Sequence, residues 1–358
     1  MKISRLVIIS VCLLLTLPTI TRAKQNVINF YRADNPLITY TGRVDFTDKM
    51  KPRFWAPGVY VQFSIEGQRC DVLLNDEVLY GTKHSYLEIA VDDKKAYRIQ
   101  LKEKENIFTI PNLSSGKHFI TVCKNTESSI GYLEFLGVKA EKLLKSPPGP
   151  IRRIEFIGNS ITCGTGSDQS EIPCGKGVWE DQHNAYMSYG PTTARALNAQ
   201  WMLTSYSGIG LTHSCCNIKT TMPQLFDKVI FYKDSLQWDF KRYQPDVLTI
   251  CLGQNDGIQD SAMFCNAYVS FIKQVRAQYP ATSVVCITSP MADQKLRSFM
   301  ENMIAGITKS VHASGDQNVS SYFFKKRYHN GCDDHPDLAE HAMIANELSA
   351  YIKKLKQW

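Results

Sequence analysis

The chain is poor in the features that mark several common functional classes. It carries 41 lysines and arginines against 34 acidic residues, a formal charge of only +7 over 358 residues. No block of basic residues and no basic stretch interleaved with aromatics occurs, which argues against a nucleic-acid partner. After the first 23 residues no apolar run reaches the ~18 residues of a membrane-spanning helix, so no membrane partner is expected. There is no Cys-x-x-Cys pair and no cysteine–histidine spacing of the kind that holds zinc, so no metal is expected. With 44% hydrophobic and 21% charged residues, the composition excludes a disordered or fibrous chain. The length exceeds the ~250–300 residues that one hydrophobic core serves, so more than one domain is expected.

Residues 1–23 read as a secretory leader. Lys2 and Arg5 precede an apolar run at residues 6–17, too short to span a bilayer, and Ala23 offers a small residue for cleavage. Removal of this segment takes Lys2, Arg5 and Arg22 with it and lowers the formal charge to +4. Export, to the periplasm or the medium, permits disulfides. Ten cysteines follow the leader. Cys251 and Cys286 lie in apolar runs, where buried free thiols are common. Pairing cannot be deduced from sequence; Cys163–Cys174 is the foremost candidate bridge.

Two patterns divide the rest. Residues 24–145 alternate with period two. Val59, Val61, Phe63 and Ile65 fall on one face, and residues 86–91 and 97–101 flank a turn at 92–95. This predicts an all-β jelly-roll sandwich. Ser146-Pro147-Pro148-Gly149-Pro150 interrupts any helix or central strand and marks a linker at 146–150. From 151 to 358, strands and helices alternate. Strands are expected at 151–157, 200–206, 246–252, 283–288 and 319–324. Helices are expected at 261–278, 294–312 and 336–355, the last with Pro336 in its first turn. The pattern implies an α/β domain with a mostly parallel sheet, whose site lies beyond the carboxyl ends of its strands.

Four segments meet at that edge. Gly158-Asn159-Ser160 ends the first strand, Ser207-Gly208 the second and Gly253-Gln254-Asn255-Asp256 the third. Asp333-Asp334-His335 precedes the last helix. Each residue has a task in acyl transfer. Ser160 needs a base to become a nucleophile, and His335 is the natural one. An oxyanion hole needs fixed donors, which the N–H groups of Ser160 and Gly208 and the Asn255 amide would supply.

In this order, Ser160, Gly208, Asn255 and His335 resemble the four blocks of the SGNH (GDSL-type) hydrolases. The stretch Phe156 to Gly164, together with His183-Asn184-Ala185-Tyr186, Ser188-Tyr189-Gly190 and Ser205 to Gly208, is similar to carbohydrate esterase family 2. That resemblance implies a flavodoxin-like SGNH domain behind a jelly roll. It also implies cofactor-free removal of acetyl groups from plant polysaccharides such as xylan and glucomannan. Two positions depart from the superfamily pattern. Asn159 stands where its first block has Asp, and Cys332 where its last block has Asp. For the third catalytic member, the family resemblance suggests either the Asp333 carboxylate or a main-chain carbonyl, that of Asp334.

Other readings stay open at this stage. An SGNH lipase or thioesterase would act on longer acyl chains in an apolar groove. A carbohydrate-binding protein on an inactive scaffold is a third class. His183, His213 and His341, and Trp55, Trp179, Trp201 and Trp238, read as packing or surface residues. Asp256 reads as a loop-structuring residue.

Overall fold

The computed structural model describes residues 27–231 and 236–358. The leader expected at residues 1–23 lies outside them.

The first half is antiparallel throughout its strand pairings. Its strands are β1 (Asn29–Arg32), β2 (Thr39–Thr41), β3 (Arg53–Phe54), β4 (Tyr60–Asp76), β5 (Tyr86–Val91), β6 (Tyr97–Gln100), β7 (Glu105–Thr109), β8 (Lys117–Lys124) and β9 (Leu133–Leu144). They form one hydrogen-bonded network in the order β1-β9-β4-β8-β5-β6, with β2 and β7 on β4 and β3 on β9. The 17-residue β4 makes this possible. Its first half carries β2 and β8, its second half carries β7, and a register break between Glu66 and Cys70 separates them. Such a bulge bends a strand and lets it turn a corner. The alternation read from Val59, Val61, Phe63 and Ile65 is real: all four are buried in the core.

Residues 145–150 carry neither helix nor strand. Beyond them lies a five-stranded parallel sheet: β10 (Arg152–Gly158), β11 (Ala199–Ser205), β12 (Val247–Cys251), β13 (Ser283–Ile287) and β14 (Val319–Tyr322). The order β11-β10-β12-β13-β14 is the flavodoxin-like arrangement. Its helices are α1 (Ser160–Cys163), α2 (Tyr189–Ala196), α3 (Met222–Leu225), α4 (Ser261–Gln278), α5 (Gln294–Ala313) and α6 (Leu338–Lys356). Side-chain caps start the long ones: Asp260, Asp293 and Asp337 each accept a main-chain N–H two or three residues into the helix. Pro336 was expected inside the last helix. It precedes the cap instead, because Asp337 and Glu340 form a reciprocal capping box.

The two halves dock through charged side chains as well as apolar ones. Arg43 of the first half is fully buried. Its guanidinium donates to the carbonyls of Phe226 and Lys228 at 2.7 and 2.6 Å and lies 3.5 Å from the Glu155 carboxylate. It also faces the rings of Phe226, Phe231, Trp238 and Phe240. Trp201 donates its indole N–H back to the Gly58 carbonyl at 2.9 Å. Among the described residues, no helix is long and apolar enough to cross a membrane.

Candidate active site

The strand order reverses between β10 and β12, and the crevice at this switch point is where open α/β sheets bind ligands. Ser160 stands there. Gly158 ends β10 with no space for a side chain, since a Cβ would sit 2.0 Å from the Thr162 hydroxyl. Asn159 then caps α1 by accepting the Ile161 N–H at 3.2 Å. This role suits Asn as well as Asp, so the departure at 159 leaves the local geometry intact. Ser160 opens the one-turn helix, where main-chain N–H groups have no intrahelical partner.

His335 reaches Ser160 from the loop before α6. Its Nε2 lies 2.8 Å from the Ser160 hydroxyl and its Nδ1 lies 3.1 Å from the Cys332 carbonyl. A carbonyl can only accept, so Nδ1 carries the proton in the neutral ring. The Nε2 lone pair is therefore turned to the serine, as a general base requires. Burial holds the imidazole below its ordinary 6.5, while the Cys332 carbonyl and the Asp333 charge pull the other way. The ring is thus unprotonated near neutrality.

The Gly208 and Asn255 loops are tied to each other. Gly208 has φ +80° and sits in a turn closed by the Ile209 N–H on the Tyr206 carbonyl. That φ is the left-handed region, open to glycine. A Cβ there would also meet Ile218 at 2.8 Å and the Cys215 sulfur at 3.0 Å. The Asn255 amide donates one hydrogen to the Ile209 carbonyl at 2.8 Å and has a second hydrogen to give. Asp256 gathers the N–H groups of Leu211, Thr212 and His213 at 2.7–3.1 Å and so locks the two loops together.

The sequence of the first half matches the family described as Carbohydrate esterase 2 N-terminal over residues 40–148, and the second half the GDSL-like Lipase/Acylhydrolase family over 156–324. The chain is 31% identical over 343 residues to the cellulase/esterase CelE of Acetivibrio thermocellus, covering 91% of this chain but only 40% of CelE. A family two carbohydrate esterase from Clostridium thermocellum, solved in complex with cellohexaose, superposes with a TM-score of 0.82 at 29% identity, over 90% of this chain and 99% of that one. The chain belongs to carbohydrate esterase family 2. A further relative, an acetylxylan esterase / glucomannan deacetylase of Cellvibrio japonicus, is 28% identical over 347 residues and 91% of each chain. The esterase is accordingly a carboxylic ester hydrolase with an antiparallel β domain ahead of a parallel α/β domain.

Three expectations about the esterase need correction. The Asp333 side chain is exposed, and among the described residues no hydrogen bond joins that side chain to His335, so its carboxylate acts on the ring through its charge only. Both Asp333 and Asp334 have left-handed backbone, φ 52° and 59°, which turns the chain so that the carbonyl of Cys332 faces Nδ1. The Asp334 carbonyl is likewise not the partner. Cys163 does not pair with Cys174. It is a buried thiol in α1 that donates to the Ser205 hydroxyl, and Cys174 is bonded to Cys332 instead. A second disulfide joins the neighbours Cys215 and Cys216 beside Gly208. Cys251 and Cys286 are buried free thiols.

The buried His183 has no hydrogen-bond partner on either ring nitrogen among the described residues. His341 is fully buried, accepts the Tyr189 N–H at 3.1 Å and is pushed down to about 3 by burial. Trp55, Trp201 and Trp238 are buried, whereas Trp179 is 41% exposed with its ring edge-on to His183. Sequence reasoning missed Thr165, Ser207 and Glu127, which form a buried cluster behind Gly208. Glu127 lies 80 residues from Ser207, and no local pattern announces the contact.

Proposed function

We propose that this esterase is an exported deacetylase that removes O-acetyl groups from plant polysaccharides of the acetylated xylan or glucomannan type. The observation that carries the reading is the Ser160–His335 contact at 2.8 Å with Nδ1 tied to a carbonyl. The family membership and the printed activity of the Cellvibrio japonicus relative support the substrate class. The apolar run at residues 6–17 supports export.

In this reading the Ser160 oxygen attacks the acetyl carbonyl while His335 Nε2 takes the hydroxyl proton. The tetrahedral oxyanion is met by the N–H groups of Ser160 and Gly208 and by the Asn255 amide. Collapse breaks the ester C–O bond, and His335 returns its proton to the departing sugar hydroxyl. Water, deprotonated by the same Nε2, then attacks the acetyl-enzyme and releases acetate with Ser160 restored. His335 acts as base only when neutral. With its pKa held below 6.5, the acid limb of kcat/KM falls below that pH.

The test is acetate release from acetylated xylan, acetylated glucomannan and mono-acetylated sugars, set beside acetyl and octanoyl esters of one chromophore. The deacetylase reading expects release from the polysaccharides, a sharp preference for acetyl and loss of turnover in Ser160→Ala. Rates that rise toward octanoyl would replace it with a lipase or thioesterase. Glycan binding without acetate release would replace it with a binding protein.

A further inference from the structure

Glu127 belongs to the first half of the chain, in the loop that follows β8, yet its side chain is spent entirely on the second half. It is buried to 1% exposure. Oε2 accepts the main-chain N–H of Ser207 at 2.9 Å. Oε1 accepts the Ser207 hydroxyl at 2.6 Å and the Thr165 hydroxyl at 3.2 Å, and those two hydroxyls stand 2.8 Å apart. His183 Nδ1 lies 4.0 Å from Oε1.

The two segments gripped in this way are those that carry the reacting groups. Thr165 follows α1, and its N–H is bonded to the Ser160 carbonyl at 3.1 Å. Ser207 is the second residue of the turn whose third residue is Gly208. Holding the Ser207 N–H and hydroxyl fixes the Tyr206–Ser207 peptide plane and the Ser207 side chain, and with the turn closed by Ile209 on Tyr206 this limits how the next plane, which carries the Gly208 N–H, can tilt. One carboxylate therefore ties the nucleophile segment to the oxyanion segment.

Domain docking alone does not call for a charge here. A buried charge is costly, and apolar packing of the same volume usually serves stability as well or better. Burial does push the Glu127 carboxyl up, opposed by the hydrogen bonds from Ser207 and Thr165 and by Lys124. Lys124 is itself buried, and its ammonium holds the Thr126 and Glu127 carbonyls at 2.6 and 3.2 Å. The arrangement fixes the direction of the Glu127 side chain at the cost of burying two ionisable groups, and burial lowers the Lys124 pKa to about 7. Directional fixing of donors is what transition-state stabilisation needs.

We propose that Glu127 is a positioning residue of the active site, supplied by the β domain, which sets the Gly208 N–H against Ser160. This rests on the assignment of Ser160 and Gly208 made under Proposed function. It goes beyond that assignment in making the β domain part of the catalytic apparatus.

The test uses the full chain. Competent sites are counted with a serine-directed fluorophosphonate, and kcat and KM are measured per labelled site on a chromogenic acetate ester. Glu127→Gln keeps the volume but offers one acceptor oxygen where two are used. The expected result is a kcat loss of roughly 10- to 100-fold per labelled site with KM within about threefold of the parent. Glu127→Asp, which keeps both oxygens, is expected to recover part of that loss. A kcat per labelled site within about twofold of the parent in Glu127→Gln overturns the proposal and leaves only docking. Where Glu127→Gln yields no folded protein, Thr165→Val serves instead, with an expected loss of roughly 3- to 10-fold and an unchanged kcat as the overturning result. Labelling of the parent protein that is not lost in Ser160→Ala would bring down the underlying assignment instead, and the two failures are thereby distinguished.

Discussion

The serine side and the histidine side of the site meet across 2.8 Å, but different forces hold them. Ser160, Gly208 and Asn255 follow β10, β11 and β12 of the parallel sheet, and their loops are cross-linked by hydrogen bonds that Asp256 and Glu127 accept and that Asn255 donates. His335 stands in an irregular loop with two consecutive left-handed residues. A covalent bond anchors that loop: Cys332, whose carbonyl holds Nδ1, is joined to Cys174 across 158 residues, and its N–H is bonded to the Gly166 carbonyl at 2.8 Å. A sheet end is stiff because its neighbours are. A loop with little regular structure obtains comparable stiffness from a cross-link.

Deleting either partner of the Ser160–His335 contact carries the largest expected effect. Ser160→Ala and His335→Ala should each lower kcat by roughly 10⁴-fold or more, and the double variant should be no worse than the singles, because the pair acts as one unit. Steady-state kinetics on a small acetate ester checks this; additive losses would mean that the two residues act separately. Next comes the serine side. Asn255→Ala should lower kcat by about 10²–10³-fold, the usual effect of losing an oxyanion donor, with the acid limb of the pH profile unmoved.

On the histidine side, Cys174→Ser should lower kcat by about tenfold and the unfolding free energy by about 2–5 kcal/mol. It leaves Cys332 and its carbonyl in place, so the kinetic loss reports on orientation. Thermal melting and kcat measured together test it; a melting shift with unchanged kcat would show that the bridge only closes a loop. Smallest of all, Asp333→Asn should change kcat by less than about threefold, as expected for an exposed charge acting through water. A loss beyond tenfold would restore its carboxylate as third member of the triad.

Much of this site was legible in the sequence because strand ends are. Runs such as Ile154 to Ile157 and Leu248 to Leu252 are mostly apolar and buried throughout, with Glu155 and Thr249 as buried polar exceptions, as suits a strand covered on both faces, and the glycine that follows each run marks the exit. Ser160 at such an exit and His335 in the loop before the last helix are brought together at 2.8 Å. What was not legible depends on distance along the chain. Glu127 meets Ser207 only where the first half lies against the second, and Cys174 meets Cys332 only where the second half brings together segments 158 residues apart. Asp333 misled for a local reason. Its spacing from His335 suits a triad carboxylate, but a left-handed backbone sends its side chain outward and brings a carbonyl inward.

The buried Arg43–Glu155 pair limits how such a protein can change over time. Glu155 lies within β10, an interior strand of the α/β sheet, and its counter-ion is contributed by the preceding sequence. Leaving one member of a buried pair without the other costs about 3–5 kcal/mol. Recombination that delivered the α/β half to a new neighbour would strand a carboxylate beneath its own sheet. The two halves are therefore expected to be inherited as one piece, and shuffling should insert or remove modules only at the outer ends of that piece.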